Sequence, residues 1–366
     1  MKNILTEQLM KKIALSSALL AISGLASAQS SVTLFGIIDA ALQRGSGSVA
    51  DRTQLGSGAN SSSRLGFRGV EDLGGGMSAS FWLEAAVLVD TGAGGPTSTN
   101  NQPSGTPATL GGTQGLTFAR RSTVSLTSSL GELRLGRDYS AHYYRYIYDP
   151  FGNNGVGASQ TFLGAPTTGI NRVSNQIAYH LPSNLGGIYG LVEYHLGENA
   201  SNAGATKNDG NGGGVRLGWN GGPFDVSLTQ ARTSYASTAT LGDITSTTIG
   251  ARYDFSVFSV MGQYVRDKVD TAAAFTGRGG NIAGVWRVGA GEVKAMWSQY
   301  GTTAAAQPET KKLSLGYVHN LSKRTAIYGS YARVRNSGGA TVALNGSITG
   351  ANQSSSGVDL GIRHAF

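Results

Sequence analysis

The sequence predicts an all-β fold: a sixteen-stranded antiparallel transmembrane barrel with one loop folded inward. Three observations carry this. Segments of about ten residues alternate apolar and polar side chains and end at Gly, Asn, Ser or Asp. The links between them alternate between short and long, and the last segment ends the chain on an aromatic residue, Phe366.

The N-terminus comes first. Lys11 and Lys12 precede an apolar run from Ile13 to Leu25, and Ala26-Ser27-Ala28 is a small-x-small cleavage site. Residues 1–28 therefore read as a secretory signal peptide, with Met10 an alternative start. The apolar run is too short to span a bilayer as a helix. The barrel is expected over residues 29–366.

Composition agrees with export to a membrane. Cysteine is absent, so no disulfide framework stabilises the fold. Glycine is abundant at 55 residues, proline scarce at 8, and 14% of residues are charged. With 40% apolar content the chain is not disordered. Mean hydropathy is slightly negative. A barrel reconciles such polarity with a membrane, because only alternate residues meet lipid. The formal charge is +8, and removing residues 1–28 takes away three Lys and one Glu, leaving +6. The arginines are scattered singly along strands rather than gathered in a tail or helix. That pattern suits a cationic pore lining and argues against nucleic acid as a partner.

Sixteen strands are expected near 31–43, 63–72, 77–90, 117–130, 132–138, 172–182, 186–197, 213–221, 223–235, 244–254, 256–268, 279–288, 291–302, 311–321, 323–335 and 355–366. The count is even, as closure of an antiparallel bacterial barrel requires, and lipid cannot satisfy an open sheet edge. Tight links such as 72–76, 130–131, 184–186 and 221–222 suit periplasmic turns. Longer Ser/Thr/Asn/Gly-rich segments at 45–62, 91–115, 139–171, 198–212 and 336–354 suit extracellular loops. Trp219, Tyr253, Phe255, Tyr264, Tyr317 and Phe366 lie on the apolar parity, where an interfacial girdle is expected.

The loop at about 139–171 differs from the others. It holds Tyr139, Tyr143, Tyr144, Tyr146 and Tyr148, then Asp149-Pro150-Phe151-Gly152. An exposed loop gains nothing from so many aromatics, whereas one packed against the barrel wall does. It reads as a constriction loop; a packed surface loop or subunit contact is the alternative.

Several motifs carry a family resemblance. Ser31–Asp39 (SVTLFGIID), Ser63–Gly76 (SRLGFRGVEDLGGG), Gly131–Arg137 (GELRLGR), Leu315–Thr325 (LGYVHNLSKRT) and Gly361–Phe366 (GIRHAF) together resemble Gram-negative trimeric porins, especially the β-proteobacterial anion-selective branch. The resemblance runs from one end of the mature chain to the other. It implies a homotrimer in the outer membrane, each barrel with a water-filled pore and an inward third loop. It also implies an arginine cluster facing that loop, which falls on Arg64, Arg120 and Arg172. The expected partners are outer-membrane lipids and lipopolysaccharide, the barrel-assembly machinery, and small hydrophilic solutes with anions favoured. No cofactor or metal is expected.

Alternation tests the cluster. Leu65 and Phe67 take the apolar face, so Arg64 and Arg68 point inward, and Arg172 shares the inner face with Ser174 and Gln176. In the fourth strand, extrapolation from Val124 and Leu126 sends Arg121 to the lumen and Arg120 to lipid unless a bulge intervenes; both are retained. Arg134, Arg252 and Arg287 also take lumen parity. A lipid-facing Arg at the midplane costs roughly 2–4 kcal/mol, which favours inward placement. Asp149, the one carboxylate between Tyr139 and Asn171, is expected to face the positive wall across the pore. Alternating apolar residues ending in Phe366 resemble a signal read by the assembly machinery.

Enzymatic function is disfavoured. His142, His180, His195, His319 and His364 form no pair with metal-ligand spacing, and no G-x-S-x-G elbow occurs. The alternative within transport is a substrate-specific channel for sugars or for organic or phosphorylated anions.

Overall fold

The computed structural model describes residues 31–98, 101–102, 115–159 and 170–366. The expected signal peptide and part of the inward loop lie outside the described residues. The strands are β1 (Ser31–Ser46), β2 (Arg52–Ser57), β3 (Arg64–Gly74), β4 (Met77–Ala86), β5 (Arg121–Ser128), β6 (Gly131–Tyr139), β7 (Arg172–His180), β8 (Ile188–His195), β9 (Gly212–Gly221), β10 (Phe224–Thr233), β11 (Asp243–Asp254), β12 (Phe258–Asp270), β13 (Phe275–Val288), β14 (Gly291–Thr302), β15 (Glu309–Asn320), β16 (Thr325–Ser337) and β17 (Ser355–Ala365).

From β3 onward each strand pairs antiparallel with the next in the chain, and β1 pairs with both β2 and β3. The ring closes where β17 pairs with β1, from Ile37 opposite Ala365 to Ser46 opposite Ser356. Gly36 and Phe366 then exchange two backbone hydrogen bonds of 3.0 Å. Among the described residues, closure leaves no sheet edge facing lipid. The barrel has sixteen walls among the described residues, although it has seventeen strands. β2 lies against Ala40–Gly45 and β3 against Ser31–Ile37 on the same flank of β1, so they form one interrupted wall. The segment expected to be loop at 45–62 thus contains a strand.

The alternation predicted from sequence sets the two faces. Along β12, Phe258, Val260 and Tyr264 are exposed on the outside, while Ser259, Met261, Gln263 and Asp267 are buried within. The girdle aromatics Trp219, Tyr253, Phe255, Tyr264, Tyr317 and Phe366 are all exposed. Tyr253, Phe255 and Phe258 form a continuous aromatic patch, with ring centres 4.4 Å apart at each step.

Turn chemistry fixes the short connections. After β3, Gly74, Gly75 and Gly76 all adopt positive φ, a conformation that residues with a side chain rarely accept, and Asp72 Oδ1 takes the Gly74 N–H at 2.8 Å.

Candidate functional site: the constriction

The inward loop leaves β6 and begins with a short 3₁₀ helix, Ala141–Tyr146, capped by the Ser140 hydroxyl accepting from the His142 N–H. The loop then runs round the inside of the barrel, and glycines on the wall make room for it. The Tyr148 ring occupies the space beside Gly250 on β11. The Phe151 ring lies 2.7 Å from where a β-carbon on Gly316 would stand, and Val156 equally close to one on Gly357. Any larger residue would push the loop into the pore.

Polar anchors fix the loop's path. Arg145 and Asp267 form a fully buried ion pair of 2.5 Å, to which Ser246 and Tyr300 add hydrogen bonds. His142 Nδ1 lies 3.0 Å from the Ser246 hydroxyl. Lys294 donates to the Pro150 carbonyl at 3.0 Å and Lys312 to that of Ala158 at 2.5 Å. Near the tip, Val156 N–H donates to Asp359 at 2.8 Å, and Ser62 Oγ donates to Asn154 Oδ1 at 2.9 Å. Ser62 lies in the break between β2 and β3. The second wall is interrupted because its backbone turns inward there, with Asn60 and Ser61 N–H groups bound to the Asp39 carboxylate.

The wall opposite carries the arginines. Arg120, Arg137 and Arg172 line a cleft of about 490 Å³ faced by Asn153, Asn154 and Gly155 of the loop. A second cleft of about 240 Å³ continues from Arg120 past Arg64, Arg121 and Arg134, with Glu84, Asp138 and Glu193. Both Arg120 and Arg121 face inward. β5 begins at Arg121, so the alternation that would send Arg120 to lipid does not reach it. Instead Arg120 pairs with Glu84 at 2.5 Å, and Arg121 approaches Asp138 at 3.4 Å. Arg134 binds Glu132 at 2.9 Å and Asp138 at 2.8 Å, and Arg64 reaches Glu84 at 3.5 Å.

Arg172 is held by aromatic faces rather than by acid. Its guanidinium lies 4.4 Å from the Tyr139 ring centre and donates to that hydroxyl at 2.7 Å. Tyr143 stacks on Tyr139 at 3.6 Å. Arg216 is similarly placed 4.4 Å from Tyr144 and 4.7 Å from Tyr189. Arg137 donates to the carbonyls of Ala119 and Ser98 and to Ser174. Among the described residues, neither Arg137 nor Arg172 has an ion-pair partner.

The sites read from sequence divide accordingly. Arg64, Arg120, Arg121, Arg134 and Arg172 come together on one wall. Arg68 shares their face but lies four residues further along β3, toward the short turns. Tyr143 and Tyr144 meet the arginines, while Tyr146, Tyr148 and Phe151 are buried against the wall. Gly152 turns the chain at positive φ, with its N–H on the Asp149 carbonyl. Asp149 does not face the arginines. It is buried, and its oxygens accept from the Phe151 and Ser159 N–H groups at 2.8 and 2.7 Å. Burial pushes its carboxyl up to about 6. Its role is to shape the loop. Arg137 and Arg216 had no place among the expected pore residues. For Arg137 the available signal was Gly136, a strand glycine that marks a bulge.

A closed lipid-facing barrel, narrowed from within by a loop and lined on the other side by arginines, defines a pore-forming outer-membrane protein. The chain belongs to the Gram-negative porin family, which matches residues 14–339. It is located in the outer membrane. It is 37% identical over 379 residues to outer membrane porin protein 32 of Delftia acidovorans, covering 98% of this chain and 100% of that one. To an outer membrane porin protein of Bordetella pertussis it is 30% identical, over 88% and 94% of the two chains. Among solved structures it is similar to the anion-selective porin from Comamonas acidovorans, with a TM-score of 0.79 and 34% identity over 92% of this chain and 100% of that one. The trimer form of OmpT from Vibrio cholerae shares the fold, with a TM-score of 0.62 at 14% identity over 92% and 99%.

Proposed function

We propose that the chain forms a water-filled channel for passive diffusion of small hydrophilic solutes, with anions preferred at the constriction. The observation that carries this is the cleft lined by Arg120, Arg137 and Arg172, two of which have no carboxylate partner among the described residues, facing asparagines rather than acids on the loop. Uncompensated guanidiniums in a narrow passage with low-dielectric walls raise the local concentration of anions and repel cations. Their planar donors suit carboxylate and phosphate. The similarity to an anion-selective porin at 34% identity supports the same reading.

Reversal potentials across a planar bilayer under a KCl gradient test it. Chloride preference is expected, reduced in Arg172→Gln and further in Arg137→Gln/Arg172→Gln; potassium preference in the wild type would overturn the reading. We extend the proposal to a homotrimer, supported by the resemblance to trimeric porins and read as conductance steps in threes. Export through cleavage after Ala28, contact with lipopolysaccharide and recognition of the Phe366 strand by the assembly machinery belong to the same proposal. No catalytic role is proposed.

A further inference from the structure

Beyond the eyelet, the same wall carries side chains that the charge argument leaves unused. Arg68 lies roughly 13 Å further along β3 than Arg64, toward the periplasmic turns. The register places Trp82 directly opposite Arg68 and Thr123 on the lumen face. The Arg68 guanidinium lies 5.1 Å from the Trp82 ring centre and 5.3 Å from that of Phe35. Arg121 sits 4.6 Å from Trp82. Phe35 and Trp82 meet edge to face at 5.0 Å, and the indole N–H donates to Glu84 at 3.1 Å.

Two features of this group have no structural use in a water-filled lumen. Phe35 and Trp82 are only half-buried there, and each Å² of wet apolar surface forgoes about 25 cal/mol. Arg68 is exposed and has no ion-pair partner among the described residues, whereas Arg120, Arg121 and Arg134 each have one. A guanidinium lying over an aromatic ring keeps its N–H edge free for a planar carboxylate.

We propose that Phe35, Trp82 and Arg68, with Arg121 shared with the eyelet cleft, form a second binding station at the periplasmic edge of the eyelet, for organic carboxylates with an apolar or aromatic body. It rests on the reading that the channel favours anions, and it adds a substrate class. The eyelet discriminates by charge; this station discriminates among anions by the surface they carry. An aromatic acid that passes the eyelet meets cation edges and an apolar platform together, while chloride or acetate finds only the charge.

The sequence supplies a reporter. Of its four tryptophans, Trp219, Trp286 and Trp297 are exposed on the outer surface, so Trp82 alone faces the lumen. In a refolded Trp219→Phe/Trp286→Phe/Trp297→Phe barrel, Trp82 emission is followed while benzoate, acetate or benzyl alcohol is added at constant ionic strength. Benzoate is expected to give a saturable change at roughly tenfold lower concentration than acetate, with none from benzyl alcohol. Arg68→Gln should abolish that change, and Arg68→Lys, which keeps the charge without the planar stack, should weaken it severalfold. Chloride preference should persist in both variants. Equal responses to benzoate and acetate, or a benzoate response unchanged in Arg68→Gln, would overturn the station. A wild-type barrel without anion preference instead overturns the reading beneath it.

Discussion

Tyr148 and Gly250 share one space: the tyrosine ring of the inward loop stands where residue 250 on β11 would carry a β-carbon. The hydroxyl of Tyr148 donates to Asp225 at 2.7 Å, so the ring is fixed at both ends. The width of the pore therefore depends on a side chain that is missing from the wall.

Gly250→Ala should displace Tyr148 and shift the loop, at a cost of about 1–3 kcal/mol. Single-channel recording is expected to show altered conductance and weaker ion selectivity. Gly284→Ala is the control, since the nearest atom to its new methyl is 3.8 Å away. Equal behaviour of the two variants would show that the loop does not use this seat.

On the proposed anion preference, Glu84 is expected to act as a brake. It pairs with Arg120 and reaches Arg64, so Glu84→Gln leaves both guanidiniums without their acid. Removing one charge within a few ångströms of the solute path should raise the chloride-to-potassium permeability ratio by at least about threefold. A ratio that falls or stays constant contradicts the placement of these arginines in the conducting path.

Much of this was legible in the residues, and the gaps have physical causes. Each of the sixteen expected strands is present because lipid outside and water inside enforce alternation over most of the chain. β2 was missed because Arg52–Ser57 is only six residues long, too short for alternation to stand out within a polar segment. Arg120 misled because parity has no meaning beyond the strand's first residue. Asp149 misled because charge type reveals nothing about burial; two backbone N–H groups, invisible in the sequence, claim its oxygens. The Arg145–Asp267 pair joins residues 122 positions apart, and no local pattern announces it.

Breaking that pair should release the loop. Asp267→Asn leaves Arg145 buried without its counter-charge, a loss of roughly 3–5 kcal/mol. Limited proteolysis of the refolded barrel should cut near residues 141–151 faster than in the wild type. Replacing both partners with apolar residues of similar size should restore much of the protection. Equal cleavage of wild type and Asp267→Asn would remove the pair as an anchor.

Asp149 gives the loop a pH dependence whose sign follows from burial. Its carboxyl lies near 6 in the folded protein, above its unfolded value of about 4. The folded state is therefore penalised by its ionisation, fully so above pH 6, and that penalty is relieved as pH falls from about 6 to about 4. The difference in Tm between wild type and Asp149→Asn should shift in favour of the wild type over this range. A difference independent of pH would place the titration elsewhere.

Deletion of Phe366 removes both backbone hydrogen bonds to Gly36 at the seam. Outer-membrane yield of heat-modifiable barrel is expected to fall severalfold, with unassembled chain retained in the periplasm. Undiminished yield would deny this residue a part in assembly.

The pairing of the first strand with the last has a consequence for biogenesis. A chain still being made, or one cut short, lacks the β17 partner for one edge of β1 and presents there a raw margin of amide and carbonyl groups that hydrocarbon will not tolerate. Completion is therefore tested by geometry itself: a chain that stops before β17 cannot seal the ring.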